Sequence, residues 1–518
     1  MPIDLTKFIR LYDQFLKIDF TGNVRGIRPP LASAKQVRAA TGKGAPHLPL
    51  VYRQDFHAPM DLALPHVLDN LEHDVKTGEK SRAEAQARLE VLYAPVYQHA
   101  PKLTAVHAGP QLKRFLAVVS NLFRSFGDND KRAAAGINLV TLVPPLACFQ
   151  ADSGLMGPYT IESDLMQQNL RVKIGIVSLP ATYRDHPVTW SVLSHEVGGH
   201  DVVHADAGLL AEMTEAAQAL LARDFSPHRP LDTASLNALL WSYWMDEAAA
   251  DVYGALNMGP AFAPALAAFL AAFRAHIKTD VKGEARPQKP TVGTEASPRD
   301  NLGGDDMLED HPVDILRFYL LLGAIETLAS LDADKRADYV AGIEDIARLI
   351  GGDVESIHLE GIVNLGPGKR IPVKAAVKLS EAADAARKVG RMIATHKFKA
   401  LNHHSIQEIE TWDDADEAAA QAIAARLLKR QSIVGYGDDA QLLAGATLAL
   451  LREPELYDEA QGHLNDALDD SFRTDPIWRG LTPSHVFAPH VFRKPQPHKP
   501  AAARKKRPAR KSAKRSKR

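Results

Sequence analysis

The sequence predicts an α+β chain that is predominantly helical, and three observations carry that prediction. Long stretches such as SRAEAQARLEVLYAPVYQHA and TASLNALLWSYWMDEAAADVYGAL are rich in helix formers and repeat apolar residues at helical spacing. Runs of β-branched residues bounded by Gly, Pro and Asp are confined to two places, 138–180 and 355–379, enough for a small mixed sheet. The chain has 518 residues, 45% of them hydrophobic, which is material for a large buried core.

The elements follow in order. Residues 1–135 read as an N-terminal helical region, with a further amphipathic pattern in PQLKRFLAVVSNLFRSF. A central region over 136–350 opens with strand-like NLVTLVPPLACF, GPYTI and RVKIGIVSLP. The last of these is a candidate edge to which an extended peptide adds as an extra strand. Asp185 then stands as a possible cap and Pro187 suits a first helical turn, so VTWSVLSHEVGGHDVVHA continues as a helix. TASLNALLWSYWMDEAAADVYGAL reads as one helix, begun by Thr233 and Ser235 and ended by Gly259 and Pro260. Residues 278–310 lack apolar periodicity and read as a long exposed loop, before the strong helix HPVDILRFYLLLGAIETLASL. A C-terminal region over 351–490 passes from two strand-like pieces around NLGPG into Ala-rich helices. A basic tail, 491–518, closes the chain: eleven of the last twenty residues are Lys or Arg and none is acidic. Such a segment cannot bury apolar surface and is expected to be disordered.

Composition narrows the function classes. The N-terminus lacks the uninterrupted apolar run of a secretion signal, and no apolar stretch is long enough to cross a bilayer, so a cytoplasmic chain without a membrane role is expected. The single cysteine, Cys148, rules out an internal disulfide and a Cys-rich zinc ribbon, leaving His and carboxylates as metal ligands. The net charge of −1 conceals an acidic body offset by the basic tail. That tail reads either as a solvated terminus or as an arm for nucleic acid or another polyanion; it has no aromatic residue for base stacking.

The densest chemistry lies in SHEVGGHDVVHAD, Ser194 to Asp206. His195 and His200 are five apart, so a regular helix would point them about 140° away from each other. A one-residue π-bulge over Val197 to Gly199 removes the mismatch, and Gly198 and Gly199 ease that irregular backbone. Both imidazoles then reach one ion, with Glu196 beside it as a general base. The competing register, HDVVH, sets His200 and His204 at regular spacing with Asp201 as the acid. It leaves the glycine pair unexplained, and Asp is one methylene shorter than Glu, so the first register is favoured and His204 becomes a supporting residue. A catalytic zinc takes three protein ligands and one open position. DEAAAD supplies Glu247 as the third, with Asp251 one turn on to orient a ligand histidine and small alanines to admit close packing.

With HEVGGH followed by DEAAAD, the chain resembles the gluzincin zinc peptidases, in the branch typified by dipeptidyl peptidase III, whose motifs are HExxGH and EExxAE or EExxAD. Asp246 departs from that pattern by replacing the leading glutamate. The resemblance implies one zinc ion held by His195, His200 and Glu247, Glu196 as general base and Asp251 as the residue that orients a ligand. It covers the motif region alone and implies a shared catalytic core, not a dipeptide-releasing specificity.

An oxyanion needs a stabilising partner. His311 is the candidate, as gluzincins place a histidine downstream of the third ligand; capping beside Pro312 is its competing role. Arg317, on the same helix, is a candidate for binding a substrate carboxylate or the oxyanion, and Tyr243, Tyr253 and Tyr319 are candidates for an assisting tyrosine. His403 and His404 diverge on a helix and read as structural. The expectation is a zinc metallohydrolase acting on a peptide or protein, with a different amide or ester as a variant. The alternative is a non-catalytic metal-binding scaffold whose tail engages a polyanion.

Overall fold

A computed structural model describes residues 3–18, 48–99, 109–127, 130–137, 143–150, 157–223, 232–281, 287, 289–297, 306–365 and 370–478. The basic tail lies outside the described residues. Helices dominate, joined by two small mixed sheets rather than one. In the first sheet, β1 (Leu146–Gln150) and β2 (Tyr159–Ile161) flank β3 (Ile176–Pro180), parallel and antiparallel to it respectively. The strand expected to offer an edge to a peptide is therefore the central one. All five of its residues are buried, as a strand covered on both sides must be, and the partly buried β2 is an edge instead.

The second sheet pairs β5 (Ser356–Asn364) with β6 (Arg370–Lys378) along nine residues each, and β4 (Glu295–Ala296) joins β5 in parallel. β4 belongs to the stretch read as an exposed loop. Its described parts are anchored: Val292, Ala296 and Leu308 are buried, and Leu308 N donates to Ile362 O. Pieces this short carry no periodicity, so the sequence gives no sign of them.

The motif segment starts as a tight 3-10 turn over Pro187–Val192, with proline at its first position. Asp185 does not cap it; His186 stands at the N-cap and no side-chain bond is made there. Leu193–His195 is α-helical, Glu196–Asp201 is a π turn and Val202–Ala205 returns to α. The bulge expected from HEVGGH is present, one full π turn long.

The partner helix was expected in one piece, but it is two, Thr233–Tyr243 and Met245–Met258, broken at Trp244. Asp232, not Thr233 or Ser235, caps the first, accepting from Ser235 N at 2.8 Å. At the break, Tyr243 Oη donates to Leu308 O and Trp244 Nε1 to Glu309 O. Tertiary bonds thus tie the break to the segment that carries His311, a connection no local propensity encodes.

Packing explains the small residues. A Cβ built on Gly199 would lie 2.3 Å from Ala250 Cα and 2.4 Å from its Cβ, so the π turn and the Met245–Met258 helix touch backbone to backbone. The Asp314–Ile325 helix packs as closely on Leu379–Thr395, where a Cβ on Gly323 would meet Arg387 O at 2.0 Å and one on Gly390 would meet Leu320 O at 1.9 Å. One connected hydrophobic cluster runs through these helices, from Phe8 to Ile477. Among the described residues no helix is long and apolar enough to cross a membrane.

Gly199→Ala should therefore cost about 1–3 kcal/mol through overpacking at the two-helix contact. Gly462→Ala, at an exposed position of the Tyr457–Thr474 helix with open space around it, should gain about 0.5–1 kcal/mol. Urea unfolding of both variants checks the contrast, and equal effects would show that the Gly199 contact is not tight.

Candidate metal centre

The π turn brings two histidines to one carboxylate. His195 Nε2 lies 3.1 Å from Glu247 Oε2 and His200 Nε2 lies 3.5 Å from Glu247 Oε1. The imidazole rings stand nearly perpendicular, 4.9 Å between centroids. One ligand atom from each of His195, His200 and Glu247 falls within 4.8 Å of the others. Each histidine is fixed through its other nitrogen. His195 Nδ1 donates to Asp251 Oδ1 at 2.9 Å, and His200 Nδ1 donates to Asp246 Oδ1 at 3.2 Å. Those bonds select the tautomer whose Nε2 lone pair points toward Glu247.

The donor set fits zinc. Two imidazoles and a carboxylate form a borderline N,N,O group, and a tetrahedron with ligand distances of ~2.1 Å has edges of about 3.4 Å. The separations of 3.1 and 3.5 Å, one to each oxygen of Glu247, are of that size. Glu247 Oε2 is also buried with no hydrogen bond of normal geometry, although two histidine nitrogens stand near it. A buried carboxylate oxygen in that state calls for a cation.

Electrostatics point the same way. Burial opposes the ionised form of Glu247, yet His311, His200 and His195 together hold its pKa well below the usual range. Burial likewise disfavours charged imidazoles, but the neighbouring carboxylates of Asp251 and Glu247 raise His195, and Glu247 and Asp246 raise His200 strongly. The cluster has more buried negative charge than neutral histidines can balance.

Glu196 sits at the start of the π turn, 6% exposed. Thr160 Oγ1, on β2, reaches both its backbone carbonyl at 2.9 Å and its Oε2 at 3.0 Å. The edge strand thereby positions the acid of the motif, a contact with no signal in the sequence. His311 reaches the same place from the far segment, its Nε2 3.3 Å from Glu247 Oε2, outside the three-atom group of His195, His200 and Glu247. Although partial desolvation opposes its charge, Glu247, Asp310 and Glu309 push the half-buried His311 imidazole up to about 10.

Three expectations find different places. Arg317 does not face a substrate: it is 5% exposed, and its guanidinium grips Asp251 through Nε to Oδ2 at 2.8 Å and Nη2 to Oδ1 at 2.7 Å. A planar fork on a buried carboxylate is a structural anchor, and it holds Asp251 ionised under His195. His204 does not join His200 on one ion. Its Nε2 is 3.1 Å from Asp246 Oδ2, so it supports Asp246, which in turn orients His200. Asp201, the acid of the competing register, is fully buried and accepts from Ser163 N. Asp246, noted in the sequence as a departure from a motif, is thus the residue that links both histidines.

The tyrosine candidates turn elsewhere. Tyr243 is bonded to Leu308, Tyr253 packs its ring on Phe126 at 4.5 Å, and Tyr319 lies among Arg348, Glu344 and Arg387. His403 and His404, expected on a helix, lie in a turn instead: His404 pairs with Phe398 in an isolated bridge and His403 has left-handed backbone. Comparison of the chain with protein-family models, curated proteins and solved structures gives no match.

Arg317→Leu should leave Asp251 buried without its charge partner, at a cost of about 3–5 kcal/mol. Arg317→Lys, which keeps the charge but loses the fork, should recover only part of it. Denaturant midpoints measure both, and unchanged midpoints would return Arg317 to a surface role.

Proposed function

We propose that this chain is a zinc-dependent metallohydrolase, acting by preference on peptide bonds. The observation that carries the reading is the convergence of one ligand atom each from His195, His200 and Glu247 within 4.8 Å, with a carboxylate behind each histidine. These three residues would hold the ion, Asp251 and Asp246 would fix the imidazoles, and Arg317 would keep Asp251 charged. When bound, zinc would supply Lewis acidity, polarising a carbonyl and making water a nucleophile near neutral pH.

The remaining work falls to the chain's own groups. Thr160 occupies Glu196 Oε2, which leaves Oε1 to accept the proton of the attacking water and deliver it to the departing amine nitrogen. His311, whose Nε2 stands 3.3 Å from Glu247 Oε2, would donate a hydrogen bond to the carbonyl oxygen as negative charge develops on it. The partly buried edge strand β2, beside Glu196, would offer backbone groups to an extended substrate, which favours a peptide over a compact amide or ester.

Metal analysis of the purified chain tests the site: wild type should hold zinc that Glu247→Ala loses, and a wild type that stays zinc-free after supplementation would sink the reading. Glu196→Gln should retain the zinc and lose peptide hydrolysis by at least about 100-fold. Hydrolysis retained in that variant would remove Glu196 from the role of base. Deletion of residues 491–518 separates the scaffold alternative, because an enzyme keeps its peptidase activity without the tail. Loss of polyanion binding together with no activity in the full chain would favour the scaffold.

A further inference from the structure

We propose that Glu162, His204 and Asp246 form a second divalent-cation site, for zinc or a similar transition-metal ion, joined to the first through Asp246. One ligand atom from each lies within 4.8 Å of the other two. They come from three separate elements: the residue after β2, the short Val202–Ala205 helix and the first turn of the Met245–Met258 helix. An imidazole with two carboxylates is a donor set that such ions accept.

Charge supplies the second argument. Asp164 adds its carboxylate 3.6 Å from His204 Nδ1, and the four groups Glu162, Asp164, Asp201 and Asp246 lie around His204, with His200 on Asp246 as the second imidazole. Among the described residues no lysine or arginine pairs with any of them. Asp201, bordering this group, is fully buried and its Oδ2 has no hydrogen-bond partner. Four buried or half-buried carboxylates outnumber the two imidazoles, His204 and His200, that stand among them, and a cation held there would offset the excess.

Glu162 gives a third argument, because its position invites another role that it does not take. It stands at the N-cap of the Ser163–Leu170 helix, yet its side chain makes no capping bond. Its carboxylate is instead grouped with His204 and Asp246.

Asp246 divides its oxygens between the two clusters: Oδ1 accepts from His200 Nδ1, and Oδ2 meets His204 Nε2. A cation on the second site would fix Asp246 and, through it, the orientation of His200. The proposal does not rest on the zinc reading of His195, His200 and Glu247, since it has its own ligands.

Zinc stoichiometry of the full-length chain, stripped with chelator, reloaded with zinc chloride and exhaustively dialysed, tests it by elemental mass spectrometry. Two equivalents are expected in wild type and one in each of Glu162→Gln, His204→Ala and Glu247→Ala. The decisive sign is an equivalent that Glu162→Gln removes and Glu247→Ala leaves in place. That result would stand even if the first site failed, in which case wild type would hold this equivalent alone. Glu162→Gln is close in shape to the wild-type residue, and matching circular dichroism would exclude misfolding as the cause. Glu162→Gln and His204→Ala both binding as much zinc as wild type would overturn the proposal.

Discussion

Two helices can offer ligands to one ion only if their backbones approach closely, and in this chain that approach is made at Gly199 against Ala250. There is no room for a Cβ, since it would lie 2.3 Å from Ala250 Cα. The π turn that aligns His195 with His200 is the same segment that touches the Met245–Met258 helix. One glycine therefore serves two purposes: it eases the irregular turn and admits the neighbouring backbone. The alanines of DEAAAD complete the contact from the other side. Everything in the candidate site, including the placement of Glu247 between the two imidazoles, depends on this separation.

A second tier of residues holds the first in place. Asp251 and Asp246 each accept from one histidine, and each is itself held, by Arg317 and by His204 respectively. The Arg317 arm is rigid because its helix packs against Leu379–Thr395 through Gly323 and Gly390. The Asp246 arm is more open, with Asp246 about one-third exposed at its side chain and His204 about one-fifth. Rigid support behind His195 and more accessible support behind His200 make the two halves of the site unequal. The accessible half is where the excess of carboxylates collects.

Much of this was legible in the residues. Five-residue spacing with two intervening glycines implied a π bulge, because no regular helix serves that pattern, and the structure has a π turn there. The pairing of HEVGGH with DEAAAD and the order of His311 after them named the residues that converge. The errors share a cause. Arg317 was read from the chemistry of its side chain as a substrate group, whereas its partner, Asp251, is 66 residues away. The break at Trp244 and the strand at Glu295–Ala296 are made by hydrogen bonds to distant backbone, so propensity and periodicity carry no trace of them. For β3 the sequence left an edge and a core strand both open, because strand order is a property of the sheet, not of the strand.

The sequence by itself determined the helical character of the chain, the identity of the converging histidines and carboxylate, and the need for a bulge between the histidines. These follow from spacing and residue chemistry along one or two helices. Tertiary structure alone decided that Thr160 holds Glu196, that Asp246 rather than the solvent orients His200, and that Arg317 lies behind the site. Those relations join elements separated by tens of residues, and only the folded chain sets the distances between such elements.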